Sequence, residues 1–204
     1  LYGANGVYSS GVLTAINGKA LKTVTVSIDV ASGNAGLFNY LNGANIEYIG
    51  VGGQILNTTG SDYAGGIVGL IGGTTAIRNC KSTANVILAT FDSANNATAK
   101  NGAGGIIGYV QSGANITVEN CTYAGGSNYV ARNVDGNVVI DANVFGANGV
   151  GGIIGYMPGG TTSLKLSGCA ASGDICGTQN VGGIIGRAHT TSAAVNAMLL
   201  SNLY

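Results

Sequence analysis

The sequence predicts an all-β chain wound as a parallel β-helix or β-solenoid of roughly four to five rungs, with loop or hairpin insertions. A glycine-rich phrase recurs along the chain, and the apolar residues cluster in short β-branched runs that lack helical periodicity. Gly accounts for 37 of the 204 residues and Pro for one, while 46% of the residues are hydrophobic. This composition favours a tightly turning folded chain over a disordered one.

The recurring phrase reads GGIVGLIGGTTAIRNC at 65–80, GGIIGYVQSGANITVENC at 104–121 and GGIIGYMPGGTTSLKLSGC at 151–169, and it begins again as GGIIGRAHTTSAAVNAM at 182. A degenerate copy begins at residue 35, where AGLFNYL matches GGIVGLI. We therefore predict a single β-solenoid domain over 1–204. Residues 1–33 form an N-terminal strand or cap region, and residues 34–204 hold the repeats.

The glycines of this phrase are expected at the corners of the rungs. Successive rungs of a parallel coil lie about 4.8 Å apart, so a corner needs residues that adopt positive φ and allow close backbone approach. Asn39, which replaces the third glycine in the degenerate copy, also tolerates positive φ. Between the glycines, one residue of the Ile106–Ile107 pair is expected to face the core. The corner glycines are Gly65, Gly66, Gly69, Gly104, Gly105, Gly108, Gly151, Gly152, Gly155, Gly182, Gly183 and Gly186.

Three cysteines occupy one repeat position, three residues after an apolar residue. Cys80, Cys121 and Cys169 are therefore predicted to form an inward-facing structural ladder, and Met198 takes this position in the last copy. Buried reduced thiols are the favoured state, because free Cys behaves as a small hydrophobic residue. A disulfide, Cys169–Cys176 or Cys121–Cys169, is the alternative. No metal site is predicted, since the chain has no CxxC and one His.

Insertions account for the unequal spacing of the copies. Residues 89–102 are polar and are interpreted as a simple loop insertion. Residues 124–149 form the second insertion, which contains a predicted hairpin over 129–145, because Asp-Gly between alternating apolar residues is a type I′ turn signal.

The segment AGGIVGLIGGTTAIRNCKSTANV at 64–86 and its sister copies resemble the GLUG-motif repeat family, from about residue 35 to the C-terminus. The resemblance implies a parallel β-solenoid in a bacterial extracellular or cell-surface protein, often of adhesin-like architecture. It carries no established catalytic residue.

Several function classes are excluded or disfavoured by composition. Charged residues make up 8% of the chain and the net charge is zero, so no basic surface for nucleic acid is expected. No apolar stretch is long enough to span a membrane. The N-terminus does not look like a signal peptide, so any secretion signal is expected to have been removed already. The lone His189 and the scattered carboxylates predict no catalytic site and no cofactor.

The leading hypothesis is a non-enzymatic extracellular structural or adhesive repeat protein. It self-associates end to end into a fibre or filament, or forms part of a longer surface array. The chain finishes with the apolar segment MLLSNLY, where a soluble solenoid would carry a polar cap. The alternative is a carbohydrate-binding surface module that contacts a surface glycan or host protein through Tyr123, Tyr129 and Arg132 on the insertions. A polysaccharide-acting β-helix enzyme is the third hypothesis.

Overall fold

The computed structural model describes residues 6–9, 12–16, 19–30, 32–58, 62–160, 163–188 and 197–204. Within these residues every regular element is a β-strand, and most strand pairings are parallel. The predictions of an all-β chain and of parallel sheets are therefore confirmed.

The N-terminal strands form a small antiparallel sheet, which is followed by one strand that joins the parallel part of the chain. The three antiparallel strands are β1 (Gly6–Ser9), β2 (Val12–Ile16) and β3 (Lys19–Ala20). The next strand is β4 (Lys22–Asp29), which pairs in parallel with a later strand over 49–56.

From residue 35 the chain passes four times through the same series of strand positions, and a fifth pass contributes one strand to each of the two five-stranded sheets described below. Repeat 1 spans 35–57 and contains β5 (Phe38–Asn42), β6 (Asn45–Glu47) and β7 (Ile49–Asn57). Repeat 2 spans 64–99 and contains β8 (Ala64–Gly65), β9 (Val68–Gly72), β10 (Thr74–Arg78), β11 (Lys81–Ser82), β12 (Asn85–Phe91) and β13 (Ala97–Ala99).

Repeat 3 spans 103–146 and contains β14 (Ala103–Gly104), β15 (Ile107–Val110), β16 (Asn115–Glu119), β17 (Thr122–Ala124), β18 (Tyr129–Arg132), β19 (Val138–Ala142) and the first part of β20 (Val144–Gly151). Repeat 4 spans 148–177 and contains the second part of β20, β21 (Ile154–Met157), β22 (Ser163–Ser167), β23 (Ala170–Ser172) and the first part of β24 (Ile175–Gly182). Repeat 5 spans 179–204 and contains the second part of β24, β25 (Ile185–Ala188) and β26 (Ala197–Ser201).

Equivalent strands of successive repeats pair side by side in chain order. One five-stranded parallel sheet has the order β6-β10-β16-β22-β26, and another has the order β5-β9-β15-β21-β25. The third parallel system is an 11-stranded sheet in which β7 and β20 each pair along two separate parts of their length. Ile77 pairs with Val118 and Val118 with Leu166, so the residues that the sequence aligns lie in one column.

The main hydrophobic core lies between these sheets and draws equivalent residues from each repeat. Ile106 and Ile107 are both fully buried, as are Ile153 and Ile154. The expectation that only one residue of the Ile106–Ile107 pair faces the core is wrong. The backbone bends at residues 105–106, so the side chains do not alternate as they do along a straight strand.

The glycines of the recurring phrase are needed for close approach and not for positive φ. None of the predicted corner glycines has positive φ, so that part of the prediction is wrong. A Cβ atom at Gly105 would overlap the carbonyl oxygen of Gly152 in the next repeat and the ring of Tyr123. A Cβ atom at Gly108 would lie 2.6 Å from the carbonyl oxygen of Ala64 in the preceding repeat. The glycines thus let the backbones of successive repeats come into contact.

Asn39 also lacks positive φ, so tolerance of positive φ does not explain why Asn replaces the third glycine in the degenerate copy. It lies on β5, the edge strand of its sheet, whereas a Cβ atom at the equivalent Gly69 would lie 2.6 Å from the Cβ of Asn34. The Asn39 amide donates to the carbonyl oxygen of Asn34 at 3.1 Å. A side chain fits at the edge because the sheet has no further strand there.

The left-handed corner of each repeat lies one residue before the cysteine position. Its φ values run from 51° to 61° in all five repeats. The Asn120 amide also donates to the Asn79 side-chain oxygen at 3.3 Å, which links two successive corners. The corner residues are Tyr48, Asn79, Asn120, Gly168 and Asn202.

The last copy is aligned differently from the prediction. Met198 pairs with Leu164, and Leu200 pairs with Leu166. Tyr204 donates its backbone N–H to the carbonyl oxygen of Cys169 at 3.0 Å, as Ala170 does to Cys121. Leu203 therefore takes the cysteine position of repeat 5, and the assignment of Met198 to it is wrong.

Both insertions are antiparallel hairpins. In 89–102, β12 continues beyond its parallel pairing and turns back as β13, where a simple loop was predicted. In 124–149, β18 pairs with β19 over the predicted hairpin. Gly136 alone of its turn has positive φ, at 81°, whereas a type I′ turn needs two such residues. The predicted turn type is therefore wrong. The hairpins enclose a second small core around Ile87, Ala89, Ile140 and Ala142.

Candidate functional site

The structure places Cys80, Cys121 and Cys169 in one column, each fully buried in the main core. The Cys121 thiol donates to the carbonyl oxygen of Ile77 at 3.5 Å, and the Cys169 thiol donates to that of Val118 at 3.6 Å. Burial raises the pKa of the Cys121 thiol well above its ordinary value. The protonated thiol of Cys121 therefore predominates at neutral pH, and a thiol is a far weaker nucleophile than a thiolate.

Neither of the disulfides considered from the sequence is present, because all four cysteines are free. Cys169 packs in the main core, whereas Cys176 packs against the second core under the hairpins. The two side chains thus pack in separate cores, which corrects the Cys169–Cys176 alternative.

The predicted partner face of Tyr123, Tyr129 and Arg132 is not assembled. Tyr123 is fully buried, and its hydroxyl donates to the carbonyl oxygen of Ala84 at 3.1 Å. Tyr129 is half-buried against the second core. Arg132 is exposed, but its guanidinium donates to the carbonyl oxygen of Gly136 at 2.8 Å and thereby closes the hairpin turn. The predicted face is not formed because the side chain of Tyr123, on β17, points into the main core and not toward solvent.

A different group of tyrosines forms the candidate functional site. The rings of Tyr63 and Tyr109 stack with centroids 3.9 Å apart, and those of Tyr109 and Tyr156 stack at 5.2 Å. The Arg187 guanidinium carbon lies 5.1 Å from the centroid of the Tyr156 ring. This stack of four side chains follows successive repeats and forms one wall of a groove of about 370 Å³, hereafter the tyrosine groove.

The strand register creates this stack. Tyr109, Tyr156 and Arg187 occupy the same position on β15, β21 and β25, one residue after the third glycine of each repeat. A Cβ atom at Gly102 would lie 2.6 Å from the ring of Tyr63, and one at Gly149 would lie 2.8 Å from that of Tyr156. These two glycines have φ values of 85° and 70°. They supply both the turn and the space in which the rings lie.

The other side chains of the groove are polar. They comprise two amides, one cation and one carboxylate: Asn101, Asn148, Lys100 and Asp62. Burial raises the pKa of the Tyr63 hydroxyl and that of Tyr109, the latter to about 12. Both hydroxyls are therefore neutral at physiological pH and can donate as well as accept hydrogen bonds. The groove offers neutral hydroxyls and amides together with two cations and one anion.

The sequence contained a signal for this groove that the predictions missed. Tyr109 and Tyr156 follow the same glycine in GGIIGYV and GGIIGYM. Since equivalent residues of a repeat lie in one column, these tyrosines had to be neighbours. Tyr63 gave no such signal, because it reaches the stack from the residue before β8.

A charged column lies on the sheet that contains β10, β16 and β22. Arg78 donates to Glu119 at 2.8 Å, and Lys165 forms an ion pair with the other oxygen of the same carboxylate. These two partners, Lys165 foremost, lower the pKa of Glu119. Arg78 also lies 3.9 Å from the carboxylate of Glu47, so the column holds two cations and two anions and presents little unpaired charge to a ligand.

Among the described residues, no group of three or more His, Cys, Asp or Glu side chains could hold a metal ion. The carboxylates of Asp141 and Asp174 are brought together by the Asn128 amide, which donates to both at 2.7 Å. They form a pair and not a group of three. His189, for which the sequence predicted no catalytic role, lies outside the described residues.

Among the described strands, β25 and β26 of repeat 5 are the last strands of their sheets, and none pairs with their outer side. Val181 is 43% exposed and Leu200 46%, whereas Val150 and Leu166, their partners in repeat 4, are fully buried. A Cβ atom at Gly183 would meet nothing within 4 Å, although those at Gly66, Gly105 and Gly152 would each overlap the next repeat. Gly183 thus has space for a side chain, which the three equivalent glycines lack.

Comparisons with known proteins gave no match to a family model, to a curated protein or to a solved structure. The resemblance to GLUG repeats therefore stays a prediction from the residues. In the part of the chain that the structure describes, there is no helix long and apolar enough to cross a membrane.

Proposed function

We propose that the chain is a β-solenoid unit of a non-enzymatic extracellular structural or adhesive protein, and that it stacks end to end through repeat 5. The stacked order of equivalent strands supports the solenoid, because each repeat adds one strand to each of the two five-stranded parallel sheets before the next repeat begins. The bacterial cell-surface location rests on the resemblance to GLUG repeats.

Gly183 is the observation that carries the stacking proposal. In the column of Gly66, Gly105 and Gly152, each glycine is needed because the carbonyl oxygen of the next repeat lies where a Cβ atom would be. A glycine in an open position has a cost in chain entropy of about 0.5–1 kcal/mol relative to Ala and gives no packing benefit. Its presence at residue 183 is explained if another repeat contacts this surface.

The apolar side chains of repeat 5 support the same proposal. Ile184 and Ile185 are only partly buried, while the equivalent Ile153 and Ile154 are fully buried. Unpaired strand edges attract further strands, since their N–H and C=O groups have no partners. A second copy that places a repeat on this edge would bury these side chains and pair β24, β25 and β26.

Sedimentation velocity over a range of concentrations, with negative-stain microscopy, tests the proposal. We expect the wild-type chain to form end-to-end assemblies and the Gly183→Leu variant to sediment as a 20.1 kDa monomer. The variant should fold normally because the position is open, but its side chain would collide with an incoming repeat. Gly126→Leu, at another open position, is the control and should assemble like the wild type. A wild type that stays monomeric, or a Gly183→Leu variant that still assembles, would overturn the proposal.

A further inference from the structure

Beyond end-to-end stacking, we propose that the tyrosine groove binds an acidic saccharide, with the sugar carboxylates held by Lys100 and Arg187. The groove has a size typical of ligand sites, and its walls come from repeats 3 to 5 and from residues 62–63 and 100–101, which precede repeats 2 and 3. A ligand in it would follow the direction in which the repeats succeed one another.

The arrangement of the rings determines what they can offer to a ligand. Both faces of Tyr109 are covered, by Tyr63 at 3.9 Å and by Tyr156 at 5.2 Å. Arg187 covers the remaining face of Tyr156. The two rings therefore meet a ligand with their edges and hydroxyl groups and not with their faces. Ring edges carry positive electrostatic potential, so they attract electronegative groups.

The hydroxyl and amide groups suit a polyhydroxylated ligand. The tyrosine hydroxyls and the Asn101 and Asn148 side chains can each donate and accept hydrogen bonds. The Asn180 amide donates to Asn148 at 2.7 Å and so fixes the orientation of one of these groups. Sugar hydroxyls have the same dual capacity and can match such a row of groups.

The charges indicate an anionic sugar. Lys100 and Arg187 both line the groove, and within the described part of the chain neither forms an ion pair with a carboxylate. This distinguishes them from Arg78 and Lys165, which both pair with Glu119, while Arg78 also lies 3.9 Å from the carboxylate of Glu47. Asp62 is the one anion of the groove and is exposed at the surface. Two cations against one anion favour a ligand of modest negative charge, such as a uronate, over a densely charged polyanion.

The proposal is tested with oligogalacturonate and its fully methyl-esterified form, which has the same length and hydroxyl groups but no charge. We expect calorimetric titration of the wild type to show binding of the acid form that weakens as salt is added, and at least roughly tenfold weaker binding of the ester. Equal affinity for the ester, or no binding of either form, would overturn the proposal. Tighter binding of a sulfated oligosaccharide of the same length would overturn the assignment of carboxylate as the ligand group.

Variants locate the site. Arg187→Gln and Lys100→Gln should each weaken binding of the acid form by roughly tenfold, because each removes a charge-assisted hydrogen bond. Arg132→Gln removes a cation on the hairpin that does not line the groove and should leave the affinity unchanged. Circular dichroism and the midpoint of urea unfolding check that each variant is folded. Similar losses in all three variants would mean that binding is non-specific and would overturn the proposal.

Discussion

At the scale of the residue, glycine in this chain acts in two distinct ways. Gly65, Gly105 and Gly152 have ordinary φ values and are required because the backbone of a neighbouring repeat occupies the space of a Cβ atom. Gly102 and Gly149 have positive φ and also leave room for tyrosine rings. The sequence analysis assigned positive φ and close backbone approach to the same glycines, because the residue type alone does not show which of the two requires glycine.

The steric role predicts a large effect of Gly105→Ala. The added methyl group would overlap the carbonyl oxygen of Gly152 and the buried Tyr123 ring, neither of which can move freely. We expect a loss of about 3 kcal/mol in the free energy of unfolding, measured with urea. Gly126→Ala is the matched control, because nothing lies within 4 Å of its added Cβ, and it should change stability by less than about 0.5 kcal/mol. Equal midpoints for the two variants would contradict the steric account.

At the scale of the element, each repeat turns into its cysteine position through one left-handed residue. The sequence showed this as Asn before Cys80 and Cys121 and Gly before Cys169. Asn and Gly are the residues that most readily adopt positive φ, so the corner was readable from the sequence once the repeats were aligned. The exception is Tyr48 in repeat 1, whose φ of 58° gives no signal in its residue type.

Asn120 tests this corner. Asn120→Ala should destabilise the fold by about 1–2 kcal/mol, since alanine is strained at positive φ and the hydrogen bond to Asn79 is lost. Asn120→Gly loses the same hydrogen bond but relieves the strain, and repeat 4 already uses glycine here. The alanine variant should therefore have the lower urea midpoint of the two. A glycine variant at least as unstable as the alanine variant would show that the hydrogen bond and not φ sets the residue type.

At the scale of the whole molecule, the order of the repeats places chemically related side chains in columns. One column holds the three buried thiols, another the ion pairs of Glu119, and a third the tyrosines of the groove. Each column joins residues about 30 to 50 positions apart in the sequence. Its properties therefore depend on all the repeats keeping their register.

Thiol labelling in the native state tests whether the cysteines keep the burial that this register gives them. Cys176 is partly exposed, whereas Cys80, Cys121 and Cys169 are fully buried. With iodoacetamide and mass spectrometry, we expect Cys176 to be modified first. The buried thiols should react roughly a hundredfold more slowly, because they need an opening of the core. In urea all four should react at similar rates. Labelling of Cys121 as fast as Cys176 in the native state would contradict the thiol column.

The sequence alone determined the order of the repeats, with their number predicted as roughly four to five, the alignment of Ile77, Val118 and Leu166, and the hairpin within 124–149. These features depend on the spacing of residues along the chain and on the residue types at turns, both of which can be read directly from the sequence. The tertiary structure decided that Tyr123 is buried, that Met198 is not in the cysteine position and that Tyr63 joins Tyr109 and Tyr156 in one stack. These features depend on the direction of side chains at bends and on contacts between distant repeats, because the folded backbone alone fixes which atoms meet.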